Sequence, residues 1–409
     1  MVDVDVAYLD SRNWEEEAML ERMRWLRKHD PVRWSEKDEL WVISRFEDVV
    51  TASKDQATFT SGLGVRPGND VKLGLIDEEE PRHGKLRGMI NKGFTPRMVK
   101  ILEETFRRIT DEAIDAVAAN GECEFVTDIA VPLPLRLIAS MIGIREEDYD
   151  KFHRWSDNMI AADGNMDDPD IIARAGKAYL EYATYITPII EERRKNPKND
   201  LVSILAGAKD SGLLKEYDET SPASNAIGNA DLQNDELIKL MVILMVAGNE
   251  TTRNGISGGM QLLIDNPEAR QRLIDDPSLI PNAVEEMVRV VTPVRSFGRT
   301  ATCDAELGDQ QIKAGQKLLL LYTSANRDER QFDEPDRFDI DRAPHHLGFG
   351  IGNHFCLGAN LARMEMRVAF QELLRRLPDM EYAEGGPALK PSALVRTCAA
   401  MKLRFTPEA

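Results

Sequence analysis

Apolar residues along this chain recur mostly every three to four positions, the spacing that lays an apolar stripe along a helix. The pattern predicts a helix over Trp14–His29, with Asn13 as N-cap and Pro31 as stop. Further helices are predicted over Phe46–Ser53, Pro81–Asn91, Pro96–Asn120, Pro134–Ile142, Glu146–Ala162, Ile171–Asn196 and Asp200–Lys209. A much longer one runs from a capping Asn234 to Asp265, where Asn266-Pro267 ends it, and another covers Pro281–Val291. The last long helix starts near Ala359 and stops at Leu377-Pro378. Strands are brief: Leu40–Ser44, Gly298–Thr302, Ala305–Leu307, Lys317–Leu321 and β-like pieces after Pro378. Phe59–Glu80 reads as a loop rich in glycine and charge, and Asp210–Gln233 as a polar surface loop. No repeat and no strand–helix alternation is visible, which argues against parallel-sheet nucleotide-binding folds and barrels. The expected class is mainly α with a small β-rich region, in one large domain over residues 1–409.

Composition narrows the setting. Hydrophobic residues make up 42% of the chain, enough for a real core. The longest apolar run, Leu240–Ala247, is too short to span a bilayer. The opening Met1-Val2-Asp3-Val4-Asp5 lacks the basic and apolar regions of a secretory signal. The expectation is a cytoplasmic protein with no membrane anchor, and nothing demands more than a monomer. A net charge of −18 argues against nucleic acid and anionic membranes as partners. Cys123, Cys303, Cys356 and Cys398 are far apart with no CxxC pair, which disfavours a zinc site, an iron–sulfur cluster or a disulfide framework. Two windows lack any Asp or Glu: Pro81–Lys100, with Arg82, Lys85, Arg87, Lys92, Arg97 and Lys100, and Arg342–Arg363. Such windows either complement nearby acidic runs such as Asp77–Glu80 or form a positive face for anionic groups. For His83 and Arg87 the second reading is preferred.

Candidate chemistry concentrates in Phe349-Gly350-Ile351-Gly352-Asn353-His354-Phe355-Cys356-Leu357-Gly358. One cysteine stands among glycines just before a helix, whose N-terminal N–H groups and dipole favour a thiolate. The glycines permit tight turns and let a flat ligand approach the backbone. A lone buried cysteine is usually structural; this spacing points to a sulfur presented to something large. A second signal lies mid-helix at Ala247-Gly248-Asn249-Glu250-Thr251-Thr252. Its glycine, asparagine and paired threonines are poor choices for a helix interior, and a Thr hydroxyl bonding back to a carbonyl can open a groove there. Glu250-Thr251 supplies an acid–alcohol proton path beside that groove; the plain alternative is a packing kink. Glu286 and Arg289, at i and i+3, share one helix face, as do His83 and Arg87 at i and i+4.

The cysteine loop, with the other motifs in order from about Trp41 to Phe405, resembles the cytochrome P-450 family. The resemblance implies haem b with Cys356 as axial iron ligand, and Phe349, Gly350, Gly358, Ala247 and Gly248 against the cofactor. It implies Thr251 and Glu250 as the oxygen-activating pair. Glu286, Arg289 and Arg342 would form a buried structural group, and His83, Arg87, Arg299 and His354 would bind the haem propionates. It further implies a monooxygenase hydroxylating an unactivated C–H bond with O2. Electrons would come from NAD(P)H through a reductase and a ferredoxin docking near Lys92, Arg97 and Lys100. An apolar lining of Leu73, Leu75, Ile76, Ile243, Val246, Val291, Val294, Phe297 and Leu394 suggests a hydrophobic small molecule. The surrounding wording is similar to bacterial members that oxidise sterol side chains, branched lipids or terpenoids. Peroxygenase or isomerase chemistry on the same fold, or a haem sensor without turnover, are the alternatives.

Overall fold

The structure, a computed structural model, describes residues 2–69, 71–91, 96–163, 165–198, 200–206 and 234–408. The side chains of residues 89, 96–99 and 234 also fall outside the description. The polar segment Asp210–Gln233 therefore lies outside the described residues, as do the end of the helix expected to reach Lys209 and the cap on Asn234.

Helices carry the architecture, and the long helix Asn234–Asp265 runs through its centre. It packs against Pro132–Ile142, Tyr149–Ile160, Ile280–Val291 and Ala359–Arg376. Its neighbours bury their apolar stripes in one large cluster that includes Phe106, Met245, Met287 and Phe370. Three glycines let these helices close up. A Cβ at Gly259 would fall 2.5 Å from the Phe370 ring, one at Gly258 2.7 Å from Val291, and one at Gly248 3.1 Å from Ile138. The expected mid-helix opening is not an interruption, because the helix is continuous through Ala247–Thr252.

Several boundaries differ from expectation for local reasons. The first helix is Glu16–His29, and Glu15, not Asn13, occupies its N-cap. Trp14 is fully buried with its indole N–H donating to Tyr8 O, which holds Ser11–Asn13 in a separate 3-10 turn; Asn13 donates to Ala7 O instead. Pro169–Lys195 starts at a proline because Asp168 caps it, accepting from the N–H groups of Asp170 and Ile171. The helix Pro267–Asp275 was not expected; its short, charged sequence hides the stripe.

The β content is small. Strands Val32–Ser35 (β1), Leu40–Ile43 (β2), Phe59–Thr60 (β3), Glu122–Glu124 (β4), Ser296–Ala301 (β5), Ala305–Leu307 (β6), Gln310–Ile312 (β7) and Lys317–Leu321 (β8) precede the cysteine loop. Four more close the chain: Glu381–Tyr382 (β9), Ala388–Lys390 (β10), Thr397–Ala400 (β11) and Lys402–Arg404 (β12). The main sheet has the order β1-β2-β8-β5-β3, with β2 and β8 parallel and the other pairs antiparallel. In β5, opposite Leu320 and Leu318, Phe297 and Arg299 are two residues apart and so share one face. Among the described residues, no helix is long and apolar enough to cross a membrane.

Candidate active site

The cysteine loop is a tight structure that its glycines make possible. Gly350 (φ +67°) and Gly352 (φ +80°) are left-handed, and a Cβ at Gly352 would lie 2.9 Å from Ser53 O. The loop closes when the Cys356 N–H donates to Phe349 O (2.8 Å). Helix Ala359–Arg376 begins directly after it, with Gly358 at the N-cap. Burial pushes the Cys356 thiol up. A hydrogen bond from the Gly358 N–H and the charges of Arg87 and Arg363 pull the other way, toward thiolate. An added Cβ at Gly358 would meet nothing within 4 Å, so the chain leaves open space directly beside this glycine.

Two networks hold the loop from beneath. In the first, Glu286 and Arg289 are fully buried and paired in a bidentate contact at 2.7 Å each. Arg342 donates from Nε to Glu286 Oε1 (3.1 Å), and so does the Asp339 N–H. Arg289 also donates to the carbonyls of Asn326, Pro335 and Arg337. Asn326 in turn accepts the Leu347 N–H at 2.7 Å, at the entrance of the loop. The second network was not visible in the sequence. Arg363 pairs with Glu285 (2.6 and 2.8 Å) and lies over the Phe349 ring, while His346 contacts Glu285 at 3.2 Å. Burial raises Glu285, but the bonds from His346 and Arg363 outweigh it and hold the carboxyl at about 2. A Cβ at Gly348 would sit 2.5 Å from Val288, so the loop rests directly on the Glu286–Arg289 helix.

Beside the loop, four basic groups from three distant segments converge. The His83 and His354 rings lie 4.4 Å apart. Arg87 reaches the loop, donating to Asn353 O (3.3 Å). Arg299 is buried and donates to its neighbour Gly298 O. Burial, then the proximity of His83, Arg299 and Arg87, depresses His354 to about 3. Only His83 has a carboxylate partner, Glu80 at 2.8 Å. His354 Nε2 and Arg299 Nε are buried with no partner. Two arginines and two imidazoles with unused donors fit an anionic ligand such as a pair of carboxylates. Elsewhere in the same window, simple complementarity accounts for Arg82, which pairs with Glu78 and Glu236.

On the long helix, Ile243, Val246, Ala247, Gly248 and Thr251 retain exposure while residues around them are buried. Ile243, Val246, Ala247 and Thr251 share one broad helix face by their spacing, whereas Gly248 is turned toward Ile138. The Thr251 hydroxyl donates to Ala247 O at 2.7 Å. Glu250 turns away into the protein. It is 1% exposed, accepts from Ser156 Oγ and Asn249 Nδ2 (3.2 Å each), and contacts Arg253 at 2.6 Å. Burial, the dominant effect, pushes its carboxyl up against the pull of Arg253. Of the expected apolar lining, Leu73, Ile76, Val294 and Phe297 keep partial exposure, whereas Leu75, Val291 and Leu394 are buried in packing. Lys100 is exposed; Lys92 and the Arg97 side chain lie outside the described residues. Glu365, one helix turn beyond Arg363's end of the loop, is another unforeseen group. It is 2% exposed, bonded to Thr252, and pushed up to about 8 by burial.

Comparison with known proteins agrees with this geometry. The sequence model of the family described as Cytochrome P450 matches residues 15–387. A steroid C26-monooxygenase of Mycobacterium tuberculosis is 35% identical over 408 residues, covering 99% of this chain and 98% of the relative. A methyl-branched lipid omega-hydroxylase of Mycobacterium bovis is 34% identical, covering 94% and 90%. Among solved structures, Mycobacterium marinum CYP268A2 in complex with pseudoionone superposes with a TM-score of 0.87, at 32% identity and 98% coverage of both chains. Bacillus megaterium CYP109E1 in complex with testosterone gives 0.82, at 30% identity, covering 96% and 98%. A helical fold built around a thiol loop, matched along its length in this way, identifies the chain as a member of the cytochrome P450 family and a haem-dependent monooxygenase of hydrophobic substrates.

Proposed function

We propose that this single-domain protein hydroxylates an unactivated C–H bond of a steroid, terpenoid or branched-lipid substrate, with Cys356 as the axial ligand of haem b. The observation that carries the reading is the basic cluster beside the cysteine loop, whose His354 Nε2 and Arg299 Nε have no partner among the described residues and suit an anion. His83, Arg87, Arg299 and His354 would bind the two propionates, while Phe349, Gly350, Gly358, Ala247 and Gly248 would face the ring. Haem, when bound, supplies thiolate-ligated iron that activates dioxygen for insertion into a C–H bond. The chain's own residues do the rest. Gly358 N–H and the helix N-terminus stabilise the charge on Cys356 Sγ. Thr251 Oγ1 holds a hydroxyl at the cavity wall, and Glu250 stores the proton that this hydroxyl passes on. Ile76, Ile243, Val246, Val294 and Phe297 exclude water and orient an apolar substrate, with Leu75 and Leu394 packed behind them. The names of the relatives support a steroid or methyl-branched lipid over a polar substrate.

The reading includes a cytoplasmic monomer reduced by a ferredoxin that receives electrons from NAD(P)H through a reductase. The ferredoxin would dock near Lys92, Arg97 and Lys100. Reducing the protein under carbon monoxide tests the ligand assignment: a red-shifted Soret band of thiolate-ligated haem is expected, and the spectrum of a histidine-ligated haem would refute it. A spin-state titration with steroids, branched fatty acids and terpenoids then selects the substrate class. Product formation only with reductase, ferredoxin and NAD(P)H present would separate a monooxygenase from a peroxygenase or a sensor.

A further inference from the structure

Asp157 has no part in the chemistry above, yet it is the group through which Glu250 meets the outside. Glu250 lies on the long helix with its side chain 1% exposed, and Asp157 lies on helix Tyr149–Ile160 with its side chain 45% exposed. Arg253, one turn from Glu250, bridges them, with Nη2 at 2.6 Å from Glu250 Oε2 and Nη1 at 2.9 Å from Asp157 Oδ1. These same two oxygens are buried and accept no well-directed hydrogen bond from any donor. The guanidinium is ion-paired with both, so the two carboxyls share a single positive charge. The two carboxyls therefore sit side by side on one guanidinium.

Two carboxylates in that contact repel unless one proton lies between them, and with Arg253 a singly protonated pair is neutral overall. The surroundings favour that state. Ser156 and Asn249 fix Glu250 Oε1, which turns Oε2 toward Arg253 and the Asp157 side of the pair. The other titratable groups nearby are His153, 3.6 Å from Asp157 Oδ2, and Asp150, which acts on His153. Burial holds His153 below its ordinary value, so Arg253 is the charge the pair must balance.

We propose that Asp157 and Glu250 form a proton-sharing carboxyl pair, with Asp157 as the solvent-facing positioning residue that recharges Glu250 in each turnover. Glu250 releases its proton toward Thr251, leaving two carboxylates. Asp157 takes a proton from solvent hydronium or a buffer acid, water or the buffer base being left behind, and passes it across to Glu250. One proton enters for each one delivered, and no electron moves. The proposal rests on Glu250 acting as the acid described above.

The test uses the holoenzyme with the steroid or lipid selected by the titration above. In Asp157→Asn, kcat is expected to fall at least about tenfold with KM, haem spectrum and substrate spin shift unchanged, and with a larger solvent isotope effect. Asp157→Glu, which keeps the carboxyl, restores kcat. Infrared spectra provide a readout independent of turnover. A protonated carboxyl band present at neutral pH should vanish in Glu250→Gln and shift in Asp157→Asn. An Asp157→Asn enzyme with the native band and native kcat overturns the proposal, as does an Asp157→Glu enzyme no better than Asp157→Asn. If Glu250→Gln itself leaves both readouts unchanged, the assignment of Glu250 as acid fails instead.

Discussion

Arg289 and Arg299 are both buried arginines close to the cysteine loop, and their surroundings could hardly differ more. Arg289 spends its guanidinium on Glu286 and three backbone carbonyls, and Arg342 completes the group. Arg299 has an Nε with no partner and stands among His83, Arg87 and His354 with one carboxylate, Glu80, between them. A saturated network is finished within the chain and stabilises the fold. An unsaturated one of a single sign costs free energy in the chain alone, and repays it when an anion binds. The distinction separates structural from ligand-binding cations without reference to any relative.

The sharpest way to break this contrast is to remove Arg289. Arg289→Ala strands Glu286 in the core and should cost about 3–5 kcal/mol, enough to abolish haem retention; denaturant unfolding of the variant checks it. Arg299→Ala and His354→Ala should behave oppositely. The apoprotein keeps its stability, while haem affinity falls roughly tenfold to a hundredfold for the lost arginine and by less for the neutral imidazole. Titrating apoprotein with haem measures this, and unchanged affinity would put the two residues in the structural class. Glu365 tests burial without a ligand. Its carboxyl is pushed from 4.5 to about 8, so the folded chain keeps a proton that the unfolded chain loses. That stabilisation is complete below about pH 4.5 and is lost as pH rises through 8, by up to roughly 4 kcal/mol. Glu365→Gln should therefore flatten the stability–pH profile over this window relative to the parent protein. The smallest effect is expected at the half-exposed pair. Arg363→Ala loses an ion pair and a ring contact worth about 1 kcal/mol together, seen as a modest drop in melting temperature.

Local signals made much of this legible. The 3.6-residue pattern placed most long helices, since their apolar faces all turn toward one core. Boundaries were lost where a cap or a tertiary contact decided them, as at Asp168-Pro169 and at Trp14. Strands β1 and β3 went unseen because they are short and acquire meaning only from partners far away, as Phe59 does from Ala301. In the site, Cys356, Glu286, Arg289 and Thr251 announce themselves because each sits in a spacing that demands explanation. Asp157, Arg253, Glu285 and Glu365 do not. Each is an ordinary charge on an amphipathic helix until packing sets it against a partner from another element. The placement of Glu250 shows the same limit. Adjacency to Thr251 suggested a shared groove, whereas successive helical residues point about 100° apart, and Glu250 faces helix Tyr149–Ile160.

The cation cluster also carries a consequence in time. His83 and Arg87 leave the ribosome 273 and 269 residues before Cys356, by the numbering of the chain. At ribosomal speeds of about 5–20 residues per second, that interval is roughly 15 to 55 s. Throughout it, half of the cationic cradle exists without the sulfur or the His354 that complete it. Haem captured early would be gripped by its propionates alone and remain exchangeable. If these residues hold haem as proposed, secure loading belongs to the end of synthesis.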